Sequence, residues 1–132
     1  MTGHKPQGQA VLVAACLLYC ISWYLPSPLI GGKDTSFTTH LIGGGVFTGL
    51  IWLYLKNNVQ WKGTTLTDFC TLFALVCTFG VINELLELLA VQIGLIHLSL
   101  SDTSWDLFSN TLGALLFWIV YVLLRKAKHL TK

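Results

Sequence analysis

Asp102, Asp106 and Asn110 recur at every fourth position of "SDTSWDLFSNTLGALLFW" (101–118), so a helix that begins early in this stretch carries all three on one face. Upstream, Glu84 and Glu87 lie within one turn of each other in a long apolar run, and His40 stands near the start of another. Carboxylates and an imidazole can exchange protons, hold divalent cations and activate water. Glu84, Glu87 and Asp106 are therefore the candidate catalytic groups. His40, Asp102 and Asn110 are the candidate ligand-binding groups. Should a divalent metal such as Mg, Mn or Zn be the cofactor, His40, Glu84, Glu87 and Asp106 are its candidate ligands, although no spacing diagnostic of a metal motif accompanies them.

The elements that must position these groups are set by composition. Of 132 residues, 54% are hydrophobic and only 11% charged, which excludes an ordinary soluble surface and points to an integral membrane protein. Four apolar segments, about 9–25, 37–55, 69–96 and 106–124, each approach the roughly 20 residues that cross a hydrocarbon core. The expectation is one all-α membrane domain over 1–132, a four-transmembrane-helix bundle, with no room for a second domain. Pro26 and Pro28 with Gly31 and Gly32 end the first segment, residues 56–68 separate the second from the third, and a short acidic turn at 97–105 joins the third to the fourth. The first segment reads as a retained anchor, because it ends in Trp23, Tyr24 and Leu25 with no small-x-small cleavage site.

Positive residues set the expected orientation. With the N-terminus inside, Lys5, Lys56, Lys62, Arg125, Lys126, Lys128 and Lys132 are all cytoplasmic and only Lys33 is outside. Both termini are then cytoplasmic, with His97 on the outer surface. The tail "RKAKHLTK" reads as a topology signal and a lipid-surface contact, not a nucleic-acid site. Cys16, Cys20, Cys70 and Cys77 form no C-x-x-C pair and read as buried small hydrophobes.

Helical phase gathers the polar residues. In the third segment Gly80, Asn83, Glu84, Glu87, Ala90 and Gly94 form one stripe of small and acidic residues against a background of Leu, Ile and Val. Ser36, His40, Gly43, Gly44 and Phe47 form a stripe on the second, with a Gly45/Gly49 G-x-x-x-G packing pair beside it, and Asp102, Asp106, Ser109, Asn110 and Gly113 form one on the fourth. The topology puts His40, Glu87, Asp106 and Asn110 in the outer half of the membrane, with Glu84 nearer the middle, so one outward-opening polar site can hold them. Each has a plainer reading. The two glutamates can be hydrogen-bonded glue between helices, Asp102 or Asp106 a cap or first-turn acid, Asn110 packing, and His40 an interfacial histidine.

The run Glu84-Leu-Leu-Glu87, followed by Asp106-Leu-Phe-Ser-Asn110-Thr-Leu-Gly113, resembles the VanZ-like family of small bacterial membrane proteins over roughly residues 35–117. That family tends to carry Glu-x-x-Gln in one helix, Asp-x-x-x-Asn-x-x-Gly opening the last, and an earlier histidine that His40 matches. Here Glu87 replaces the Gln, Ser36 stands where an Asp often precedes the histidine, and the outer turn has no Arg. The stretch Asp102-Thr-Ser-Trp-Asp106 is also similar to a group of uncharacterised bacterial inner-membrane proteins. The resemblance implies a cell-envelope role in the bacterial plasma membrane, since the founding members are linked to resistance to the antibiotic teicoplanin.

Three functions remain open on these residues. The first is a membrane-embedded protein that binds an envelope lipid, cell-wall precursor or amphiphilic antibiotic. The second is a metal-dependent intramembrane hydrolase or transferase acting on a lipid-linked substrate. The third is a proton-coupled transport or assembly subunit. The bilayer is the partner in all three, and a homo-oligomer joined through the glycine-rich second helix is open in the third.

Overall fold

The structure is a computed structural model that describes residues 8–30, 32–59, 61, 63–96 and 100–130. His97, expected in the outer turn, and Lys5, Lys62 and Lys132 of the charge pattern lie outside the described residues. The helices are α1 (Gln9–Ser22), α2 (Phe37–Asn58), α3 (Thr65–Gln92) and α4 (Leu100–Leu130). Two short strands, β1 (Leu29–Ile30) and β2 (Lys33–Asp34), pair antiparallel between α1 and α2, and Gly32 supplies the left-handed backbone of their turn at φ 79°. The result is an all-α membrane bundle of three long apolar helices and a shorter one.

The helix limits correct the expected ones. α1 has 14 residues, about 21 Å at 1.5 Å per residue, and falls short of the length expected of a span. It stops at Ser22 rather than residue 25, because Pro26 and Pro28 hold the residues before them out of helical conformation. α3 starts at Thr65, four residues before the apolar run, where the Thr64 hydroxyl accepts the Thr67 N–H at 3.2 Å. Its other end is at Gln92. There Gly94 adopts φ 77° while its N–H bonds the Val91 carbonyl and the Leu95 N–H bonds the Ala90 carbonyl, a Schellman ending. Gly94 is thus a helix stop and not a member of the polar stripe. α4 starts at Leu100 instead of 106, which places Asp102 in its first turn and Asp106 a turn further in.

α2 and α4 form the central pair, with α1 against the outside of α2 and α3 against both α4 and the second half of α2. Residues 40–46 of α2 are π-helical, a form that occurs mostly as short inserts at functional sites. This segment contains Gly43, Gly44 and Gly45, of which the first faces α1 and the other two face α4. A side chain at 43 would meet Ser22 of α1, one at 44 the Asn110 amide, and one at 45 the backbone of Asn110 and Gly113. Gly49, a turn further along, faces the Phe117 ring. The Gly45/Gly49 face is therefore filled by α4 within the chain, which removes it as an interface between copies.

Away from these contacts the helices present apolar side chains outward. On α3, Leu85, Leu86, Leu88 and Leu89 are exposed, while Gly80 is buried and Asn83, Glu84, Glu87 and Ala90 are half-buried. That division is the one a lipid-facing helix with one protein-facing stripe requires. All four cysteines are free and exposed, so they sit on the apolar exterior and not in the core as expected.

The core lies toward the far end of the bundle from His40. Trp52, Leu72, Val76 and Ala114 are enclosed by Phe117, Trp118 and Tyr121. Below this layer Asp68 is completely buried and paired with Lys56, and it accepts the Trp61 indole N–H at 2.9 Å, with Arg125 3.9 Å away. The Lys56 ammonium lies 5.0 Å over the Trp52 ring and 5.3 Å over Tyr121. Sixteen residues of α2, about 24 Å of helix, separate this cluster from His40, so the two polar groups mark opposite ends of the bundle.

Candidate functional site

At the other end, the segment between α1 and α2 is fastened to the start of α2. The Thr38 hydroxyl donates to the Pro26 carbonyl at 2.9 Å, the Thr38 N–H to Ser27 Oγ at 3.1 Å, and the Thr39 hydroxyl to the Ser22 carbonyl at 3.1 Å. Asp34 Oδ1 accepts the N–H of Ser36, a serine held at φ 50° just before α2. These bonds fix the first turn of α2 beside the end of α1 and so determine where His40 stands.

Beneath that segment is a cavity of about 920 Å³. α2 contributes His40 to it, α3 contributes Asn83 and Glu87, and α4 contributes Asp102, Asp106 and Asn110. Five of the six expected site residues therefore share one space. The sixth, Glu84, does not line it. Both of its carboxylate oxygens are enclosed without a hydrogen-bond partner, and its polar neighbours are Thr103 and Asn83. The 60° that separates positions 84 and 87 on a helix turns Glu87 into the cavity and Glu84 toward α4.

His40 Nε2 lies 3.2 Å from Asp106 Oδ1, close enough for an ion pair but without hydrogen-bond alignment. One ligand atom from each of His40, Glu87 and Asp106 falls within 4.8 Å of the other two. Asn83 Nδ2 donates to Glu87 Oε1 at 2.7 Å and fixes that carboxylate. Asp106 and Asn110 are 4% and 5% exposed, and each keeps one buried oxygen, Oδ1, without a hydrogen-bond partner. Ser109, between them, is buried and turns its hydroxyl back to the Trp105 carbonyl at 2.8 Å, so it takes no part in the cavity.

The lining has a strong electrostatic bias. Asp34, Glu87, Asp102 and Asp106 all reach it, and among the described residues lining it there is no Lys or Arg. The lining is also aromatic, with Tyr19 and Trp23 from the α1 end, Phe47 from α2 and Phe79 from α3. Among the acids and amides of the lining, two are not expected as site members. Asn83 was visible only as part of a stripe, and Asp34 precedes α2 in a segment with no helical phase to place it. For Asp34 the available signal was its position six residues before His40, on the same side of the membrane.

An all-α membrane bundle with a buried polar cavity at one end defines the class of this protein. The family described as "Predicted membrane protein (DUF2238)" matches residues 34–127, and the chain belongs to that family. The match begins at Asp34 and runs through α2, α3 and most of α4, so it includes every polar cavity residue named above. No curated protein and no solved structure matches the chain.

Proposed function

We propose that this protein sits in a bacterial plasma membrane with both ends cytoplasmic, that it is VanZ-like, and that its cavity takes up the polar head of a membrane amphiphile. The amphiphile is an envelope lipid, a lipid-linked cell-wall precursor or an amphiphilic antibiotic. The observation that carries this reading is the mixed lining of the 920 Å³ cavity, in which acids, imidazole and amides stand together with aromatic rings. Its volume is of the size that encloses small-molecule ligands, and a ligand with both a polar and an apolar part suits such a lining. Lys56, Arg125, Lys126 and Lys128 all belong to the opposite end of the helices, which supports an outward-facing cavity. The hydrolase or transferase alternative uses the same groups and differs in requiring turnover of the bound amphiphile.

Native mass spectrometry of the full chain released from nanodiscs of bacterial lipid tests the reading. Wild type is expected to retain an amphiphile adduct. Gly80→Leu, which places a side chain toward Leu107 and Asn110 at the cavity wall, is expected to lose most of it. Equal adduct retention by the two proteins, both shown folded by circular dichroism, would contradict cavity binding.

A further inference from the structure

We infer that His40, Glu87 and Asp106 form a divalent-cation site in the cavity wall, with Asn110 Oδ1 as a fourth donor and Asn83 as a positioning residue. The inference rests on the cavity being the working site, as proposed above, and adds how an acidic pocket can accept an anionic head.

The geometry comes first. Donor atoms of the three residues already lie within 4.8 Å of one another, and bonds of roughly 2.0–2.2 Å to one ion would draw them closer together. The three come from three different helices, α2, α3 and α4, so one ion would tie all three together. Asp106 is a second and independent pointer. Its side chain is buried, it lines the cavity, and Oδ1 has no hydrogen-bond partner. Asn110 Oδ1, one turn along α4, is in the same condition. Asp106 Oδ1 faces His40 Nε2 at 3.2 Å without hydrogen-bond alignment, and two buried oxygens on one face of one helix without a hydrogen bond are costly unless something takes up their lone pairs.

The charge balance points the same way. Glu87 and Asp106, two of the four acids that reach the cavity, bring two negative charges to a lining with no lysine or arginine among its described residues. A divalent cation with a neutral imidazole cancels them, which lowers the cost of carboxylates at membrane depth. The hydrogen bond from Asn83 occupies Glu87 Oε1 and leaves Oε2 for the ion, the usual arrangement in which an outer residue orients a ligand. An imidazole with carboxylate and amide oxygens favours Mn²⁺, Fe²⁺, Co²⁺ or Zn²⁺ over Ca²⁺. Three or four protein donors leave coordination positions facing the cavity, where a phosphate or carboxylate of the amphiphile can bind. The cation thereby does what a lysine or arginine would otherwise do.

Titration of the metal-stripped full chain in nanodiscs with Co²⁺, read by its visible d–d absorption, tests the site. One Co²⁺ per chain is expected, without near-ultraviolet thiolate bands, and unchanged when Cys16, Cys20, Cys70 and Cys77 are replaced by alanine. Asp106→Asn and His40→Gln are each expected to weaken binding about 100-fold or more, and Asn83→Ala about ten- to a hundredfold. No Co²⁺ band in wild type, thiolate bands, or a band indifferent to Asp106→Asn would overturn the proposal, and the wild-type titration decides even if the variants misfold. Amphiphile adducts without Co²⁺ binding reject the cation and spare the cavity reading. Co²⁺ binding without adducts supports the cation and rejects that reading.

Discussion

Gly113→Val is expected to yield almost no monodisperse protein in mild detergent, although it changes no polar group and touches no cavity residue directly. At position 113 an added Cβ would run into the Leu41 carbonyl and come within 3.1 Å of the Gly45 Cα. Both obstacles are backbone, which a rotamer change cannot move. The facing position behaves alike, since a Cβ at Gly45 would lie 2.6 Å from the Gly113 Cα and 2.7 Å from the Ala114 nitrogen. To admit either side chain, the π-helical segment and α4 must separate, and with them His40 and Asp106. Overpacking of a well-packed core costs about 1–3 kcal/mol where side chains can yield, and here only backbone can, so about 3 kcal/mol or more is expected. Size-exclusion profiles and thermal unfolding measure it. A Gly113→Val protein that elutes and melts as wild type would show that α2 and α4 do not cross at these glycines.

The second large effect is at the other end of the bundle. Asp68 is fully buried and holds Lys56, the Trp61 indole and, at longer range, Arg125. Asp68→Ala leaves the Lys56 ammonium, whose side chain is 18% exposed, with two aromatic rings as its near neighbours. Breaking a buried pair from one side costs about 3–5 kcal/mol, because the remaining charge is desolvated without compensation. The double variant Asp68→Ala/Lys56→Met is expected to recover most of that loss, since neither charge is then stranded. Thermal unfolding of the wild type, the two single variants and the double variant closes the cycle. Additive losses would show that Lys56 and Asp68 act independently.

What was legible in the sequence was face, and what was not was the ending of helices and the identity of neighbours. The 3.6-residue period placed Gly80, Asn83, Glu84, Glu87 and Ala90 on the inward side of α3 and Asp102, Asp106 and Asn110 on one side of α4, as the burial pattern has them. The same period included Gly94 in the stripe, because phase alone cannot see that a glycine adopts φ 77° and closes the helix. It also grouped Glu84 with Glu87. Three residues differ by only 60° in direction, and the position of α4, a tertiary fact, decides which of the two meets the cavity.

Asp68 was read as the end of a loop because polar and charged residues surround positions 56–68. Its burial depends on Lys56 and Arg125 arriving from two other helices, which local pattern does not encode. The π-helical turn is a further case. Three consecutive glycines signalled close packing, but not that the ladder would widen there, nor that Gly43 would face α1 while Gly44 and Gly45 face α4.

The central claim is that the imidazole of α2 and the carboxylates of α3 and α4 meet in one cavity. It is tested most directly by bridging them. In a protein with Cys16, Cys20, Cys70 and Cys77 replaced by alanine, the pairs His40→Cys/Asp106→Cys and Glu87→Cys/Asp106→Cys are treated in native membranes with a short thiol-to-thiol cross-linker. Peptide mass spectrometry then reads the linked residues. Both pairs are expected to join within a single chain, while the pair Leu66→Cys/Leu95→Cys, exposed positions near the two ends of α3, stays unlinked. Failure of both site pairs to join, with the thiols shown to be reactive, would mean that the polar stripes face different neighbours and that the cavity does not exist in the membrane.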